Sequence, residues 1–88
     1  MDFNARTVLV TGAARGLGKQ IARAFHALGA RVALNDLNGD AIAAAIADLG
    51  AGPRLAAAEA DVSTAAGCES AVRATLERFG RLDVLVNN

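Results

Sequence analysis

The sequence predicts an α/β domain built as a doubly wound parallel sheet. Three observations predict it. Short apolar runs alternate with helical patterns in the order β-α-β-α-β-α-β. The runs are continuous rather than alternately apolar and polar, as suits strands buried on both faces. Each run stops at glycine, asparagine or aspartate, residues that favour turns and helix starts. Such alternation implies parallel strands joined by right-handed crossovers.

The first run, Thr7–Thr11, is short, apolar and β-branched. The helical pattern after it sets Leu17, Ile21, Phe25 and Leu28 three and four residues apart, which predicts one buried stripe. Lys19, Arg23 and His26 fall off that stripe, so His26 reads as a solvated surface residue. Gly29 suits the position just past a helix end. The second strand is Arg31–Asn35. The second helix runs from about Asp40 to Leu49, with Asn38 or Asp40 as cap, Ile42, Ile46 and Leu49 as apolar face, and Gly50 as stop. Gly52-Pro53 turns the chain into a weaker, alanine-rich third strand, Arg54–Ala60. Ser63 reads as the N-cap of a third helix with Cys68, Val72, Leu76 and Phe79 as its stripe and Gly80 as its end. On that stripe Cys68 is expected to be a small core residue rather than a nucleophile. The fourth strand is Asp83–Val86.

Composition narrows the function classes. Eighty-eight residues make one small domain, and a chain of this size buries only about 60% of its unfolded surface. Basic and acidic residues number nine each, so bulk charge favours neither nucleic acid nor a membrane surface as partner. There is no tryptophan or tyrosine for base stacking. No apolar run approaches the roughly 18 residues of a membrane span. Met1-Asp2-Phe3-Asn4 carries an acid where a secretory signal carries positive charge. A single cysteine excludes an internal disulfide and fits a reducing compartment. The expectation is a soluble, cytoplasmic protein. No His, Cys, Asp or Glu cluster has metal-ligand spacing, so no metal site is expected.

The most informative stretch is Val8–Gly18, where an apolar run ends in a glycine-punctuated turn and a helical pattern begins at once. Glycines let the backbone turn sharply and approach a ligand, and the free N–H groups of a new helix attract an anion. Asp36 ends the next run 18 positions after Gly18, close to the ~20-residue offset of a ribose-binding acid in dinucleotide folds. Plainer readings stand beside these. The loop could be an ordinary strand-to-helix turn, Asp36 a turn acid in Asn35–Gly39, and Asp61 a cap of the third helix together with Ser63.

Thr11-Gly12-Ala13-Ala14-Arg15-Gly16-Leu17-Gly18 resembles the TGxxxGxG cofactor loop of the short-chain dehydrogenase/reductase family. Asp61-Val62 is similar to that family's adenine contact, and Asn87-Asn88 to the start of its Asn-Asn-Ala-Gly motif. The resemblance covers essentially the whole chain, as the N-terminal part of a single dinucleotide-binding Rossmann domain spanning residues 1–88 with strand order 3-2-1-4. It implies the following roles. Gly12 makes the tight turn, and Gly16 and Gly18 allow close approach and helix packing. Backbone N–H groups around Arg15, Gly16 and Leu17 face the pyrophosphate, and Ala14 belongs to the same cofactor-binding loop. Asp36, with Leu37 beside it, takes the adenosine ribose hydroxyls. Asp61 binds the adenine amino group, Val62 packs on the ring, and Asn88 contacts the cofactor through its backbone. Asp36 would repel a 2′-phosphate, which favours NAD over NADP. Arg15 points the other way, since a basic residue there accompanies NADP in parts of the family.

The family's chemistry rests on a serine and a Tyr-x-x-x-Lys pair that lie downstream of Asn-Asn-Ala-Gly. The tyrosine is general acid/base toward a carbonyl or secondary alcohol, its pKa lowered by the lysine. This chain has no tyrosine, and its one lysine is Lys19 in the first helix. It therefore reads as truncated before the catalytic residues, with none of its own and no turnover expected. The intact form is expected to be an oxidoreductase acting on a small carbonyl or alcohol and a homo-oligomer. The alternative is a non-catalytic nucleotide-binding or regulatory module.

Overall fold

The computed structural model describes residues 2–88. Strands β1 (Thr7–Val10), β2 (Arg31–Asp36), β3 (Leu55–Glu59) and β4 (Val84–Val86) alternate with helices α1 (Gly16–Ala27), α2 (Gly39–Asp48) and α3 (Ala65–Phe79). The sheet is parallel throughout, in the order β3-β2-β1-β4. This is the doubly wound, Rossmann-like arrangement that the alternation of elements predicts.

Strand periodicity sorts side chains between the two faces. Val8, Val10, Val32 and Leu34 pack with Ala22 of α1 and with Ile42 and Ala45 of α2. Leu9, Ala33 and Ala58 pack with Ala71 of α3. The central strands β1 and β2 are buried on both faces, which is why their sequences read as unbroken apolar runs. No helix among the described residues is long and apolar enough to cross a membrane.

Several local expectations are corrected. Leu17 is 69% exposed, and Leu28 sits at the C-cap, also exposed. The buried residues of α1 are Gly18 and Ala22 instead, flanked by Ile21 and Phe25. Close packing of Gly18 on the preceding loop sets the helix phase, and that phase turns Leu17 outward. Helix α3 shows the same effect. Its buried positions are Ala71 and Thr75, while Cys68 and Leu76 are exposed. Small residues let the helix lie close to the alanines of the sheet. The Thr75 hydroxyl donates to the Ala71 carbonyl at 2.8 Å, so its burial leaves no orphan donor. The N-cap of α3 is Thr64, not Ser63, because Thr64 Oγ1 accepts the Gly67 N–H at 3.0 Å. At α2 the cap is Asn38, which accepts from Asp40 and Ala41. His26 is half-buried rather than solvated, and burial followed by the Arg54 charge holds its pKa below the usual value. Lys19 is largely covered and pairs with Asp48 at 2.7 Å.

Candidate functional site

All four strands end at one edge, and the predicted motifs follow them there. After β1 the chain turns at Gly12 (φ +59) and again at Gly16 (φ +58), both left-handed conformations that favour glycine. A side chain on Gly18 would collide with the Gly12 carbonyl and lie 2.7 Å from Asn88 Nδ2. Gly18 is therefore a packing glycine. Gly16 differs, since nothing lies within 4 Å of where its Cβ would be. Its role is conformational, and the space above it is open.

Helix α1 starts on this loop without a side-chain cap. Its N-cap, Arg15, is extended and makes no capping bond, and the first turn holds no acid. Helices α2 and α3 are both capped by side chains. The first-turn N–H groups of α1 have no side-chain cap, and the helix's own first turn places no acid at the positive end of its dipole. That is a ready anion site. Arg15 makes no ion pair among the described residues.

Asp36 ends β2 with its carboxylate held on both sides. One oxygen accepts the Ala14 N–H at 3.0 Å, and the other accepts the Leu37 N–H at 2.9 Å. Each oxygen keeps a free lone pair. Past β3, Asp61 Oδ1 accepts the Ser63 hydroxyl at 2.6 Å and the Ser63 N–H at 3.0 Å. These two bonds, the hydroxyl's first, hold the Asp61 pKa below the usual carboxylate range. Asp61 is thus ionised at neutral pH, and Oδ2 makes no bond among the described residues.

Asn88, after β4, is stitched to the glycine loop. Its N–H donates to Thr11 Oγ1 at 2.9 Å, and its side-chain amide donates to the Gly12 carbonyl at 3.2 Å. Thr11 Oγ1 in turn donates to the Val86 carbonyl at 3.3 Å.

A crevice of about 250 Å³ runs across this edge. Of the expected site residues, Gly12, Asp36, Leu37, Asp61, Val62 and Asn88 line it. Ala14, Arg15, Gly16, Leu17 and Gly18 form the adjoining loop and helix start instead, where Ala14 and Gly18 are buried and the other three exposed. Sequence reasoning assigned no role to Thr11, Asn35 or Ser63 as crevice residues. Asn35 reads in the sequence only as the turn-favouring end of the second run, so its position there carries no separate signal.

A parallel sheet whose order reverses between β1 and β4, with a crevice at that switch point and an uncapped helix beside it, defines a Rossmann-like doubly wound α/β fold. Residues 6–88 match the short chain dehydrogenase family, and the chain belongs to it. It is 39% identical over 89 residues to the (2S)-[(R)-hydroxy(phenyl)methyl]succinyl-CoA dehydrogenase subunit BbsD of Thauera aromatica, covering all of this chain and 36% of that protein. Among solved structures, a glucose/ribitol dehydrogenase-type short-chain dehydrogenase/reductase from Brucella melitensis is 42% identical, with a TM-score of 0.88 over 97% of this chain and 37% of that one. A 3-ketoacyl-(acyl-carrier-protein) reductase from Brucella melitensis, solved with NADH, is 31% identical with a TM-score of 0.87, covering 96% of this chain and 34% of that one. The chain thus spans about a third of the length of the relatives it matches.

Proposed function

We propose that the chain holds the adenosine and pyrophosphate part of a nicotinamide dinucleotide, with NAD preferred over NADP. The observation that carries this reading is the contrast among the helices: of the three in the described residues α1 alone lacks a side-chain cap, and it opens beside a crevice flanked by two carboxylates. The donor set suits the group. The first-turn N–H groups of α1 suit a pyrophosphate, and Gly16 leaves room for it. The free lone pairs of Asp36 suit two ribose hydroxyls. Asp61 Oδ2 suits an exocyclic amino group, with Val62 and Leu37 as apolar flanks.

When bound, the nicotinamide accepts or donates a hydride. The residues of this chain orient the adenylate end; Asp36 also repels a 2′-phosphate, since a carboxylate beside a dianion is disfavoured. In the whole protein we place this site in an oxidoreductase acting on a carbonyl or secondary alcohol, and we place that protein in the cytoplasm. The 88 residues contain no tyrosine, so the polypeptide alone is expected to bind without turnover.

Titration calorimetry of the chain with NAD and NADP tests the reading. NAD should bind more tightly by about tenfold, and Asp36→Ala should bring the two affinities together. Absence of NAD binding, or tighter NADP binding, overturns it.

A further inference from the structure

Asn35 is 1% exposed and sits one residue before Asp36. A buried amide is unfavourable unless its polar atoms are paired. Here Nδ2 donates to the Ala58 carbonyl at 2.8 Å and to the Ala60 carbonyl at 3.1 Å. Two carbonyl acceptors dictate which end of the amide faces β3, because the amide oxygen could not bond either. The backbone carbonyl of Asn35 accepts the Ala13 N–H at 2.8 Å. One residue therefore touches the glycine loop, precedes the ribose acid, and grips the end of the third strand.

The grip on Ala60 matters most. The last β2–β3 rung is the Ala60 N–H on the Asp36 carbonyl at 3.1 Å. Beyond it the chain leaves the sheet. The Ala60 carbonyl and the Asp61 N–H belong to one planar peptide unit. Pinning that carbonyl fixes the plane from which Asp61 departs. Asp36 depends on other bonds, those from Ala14 and Leu37.

We propose that Asn35 is a positioning residue that orients Asp61 toward the adenine amino group and so sets the base selectivity of the crevice. This rests on the nucleotide reading above. Asn35 touches no ligand in this role; it acts through the Ala60–Asp61 peptide.

The test compares three ligands on the full 88-residue chain: NAD, NADP, and the hypoxanthine analogue of NAD, which carries a carbonyl oxygen in place of the adenine amino group. The wild type should prefer NAD over the hypoxanthine analogue by about fivefold, the worth of one hydrogen bond. Asn35→Val should shrink that preference to within about twofold, while its preference for NAD over NADP stays within about twofold of wild type. Ratios cancel any general loss of folded chain, so a merely structural role leaves both unmoved. Asn35→Ser, whose hydroxyl is too short to span both carbonyls, should behave like Asn35→Val. If neither variant folds, nitrogen-15 spectra of the wild type decide: the Asn35 side-chain amide signals should move more with NAD than with the hypoxanthine analogue, and equal movement overturns the proposal. Unmoved ratios in the variants, collapse of both ratios together, or a wild type that binds both bases equally overturns it as well. A wild type that binds no NAD overturns the nucleotide reading, and this proposal with it.

Discussion

At the scale of single residues, the two loop glycines Gly16 and Gly18 do different jobs, and their substitutions separate them. An alanine at Gly18 meets backbone, the Gly12 carbonyl, which has nowhere to go. Gly18→Ala should destabilise the chain by about 3 kcal/mol, read by urea or thermal unfolding. Gly16→Ala meets open space and suffers only its left-handed backbone (φ +58), so it should cost about 1 kcal/mol. Equal costs would refute this division of roles. Thr7 offers the opposite case. Its hydroxyl is buried without a partner among the described residues, so Thr7→Val keeps the shape, removes the orphan, and should raise stability by about 1 kcal/mol. A lower melting temperature in that variant would show that Oγ1 has a partner after all. The residues legible in the sequence were those whose chemistry is tied to a strand end: Gly12, Asp36, Asp61 and Asn88 all come to the edge. Asn35 escaped because its role is read from which carbonyls lie across the sheet, and spacing carries no such information.

At the scale of elements, existence and order were legible, while helix phase was not. Periodicity picks the largest apolar residues as the buried stripe. Packing on an alanine-lined sheet favours the smallest, so Ala71 and Thr75 displaced Cys68 and Leu76. The same competition put Gly18 and Ala22 inward and Leu17 outward. The docking of β4 on β1 shows how one side chain can tie an element down. Asp83, just before β4, accepts the Thr7 N–H at 2.8 Å and pairs with Arg81 at 2.7 Å. The Arg81 hydrogen bond first, then the Thr7 N–H, holds its pKa below the usual range. Because the folded pKa is depressed, the anchoring is full above the unfolded carboxylate value of about 3.9 and is lost as pH falls through the folded one. Acid should therefore loosen β4 before the rest of the sheet. Amide exchange at Thr7, compared with Val32 on β2, should show protection falling faster in acid, and Asp83→Asn should abolish that difference. Parallel loss at both amides would mean that Asp83 does not hold the strand.

At the scale of the whole molecule, the sheet is unevenly covered. Helices α1 and α2 shield one face, whereas α3 alone lies on the other. Strand β4 is three residues long, forms an edge of the sheet, and pairs only with β1 among the described residues. Leu85 in its middle is 48% exposed, and Leu76 of α3 is 44% exposed. This imbalance was legible in part, since the order 3-2-1-4 already leaves the fourth strand at the border. The exposure of Leu76 was not, because it follows from the phase of α3. An apolar strand with open N–H and C=O groups is a template for pairing with another chain, and nothing charged on β4 itself discourages it. The 88-residue chain should therefore associate as its concentration rises and melt broadly rather than in one sharp step. Sedimentation velocity over a tenfold concentration range would detect the association. Leu85→Lys places a charge on the exposed position without touching β1 pairing through the backbone, so it should shift the chain toward monomer while leaving NAD affinity within about twofold, because Leu85 lies outside the crevice. A wild-type chain that stays monomeric and unfolds in one sharp transition would show that three helices and four strands suffice to close this core.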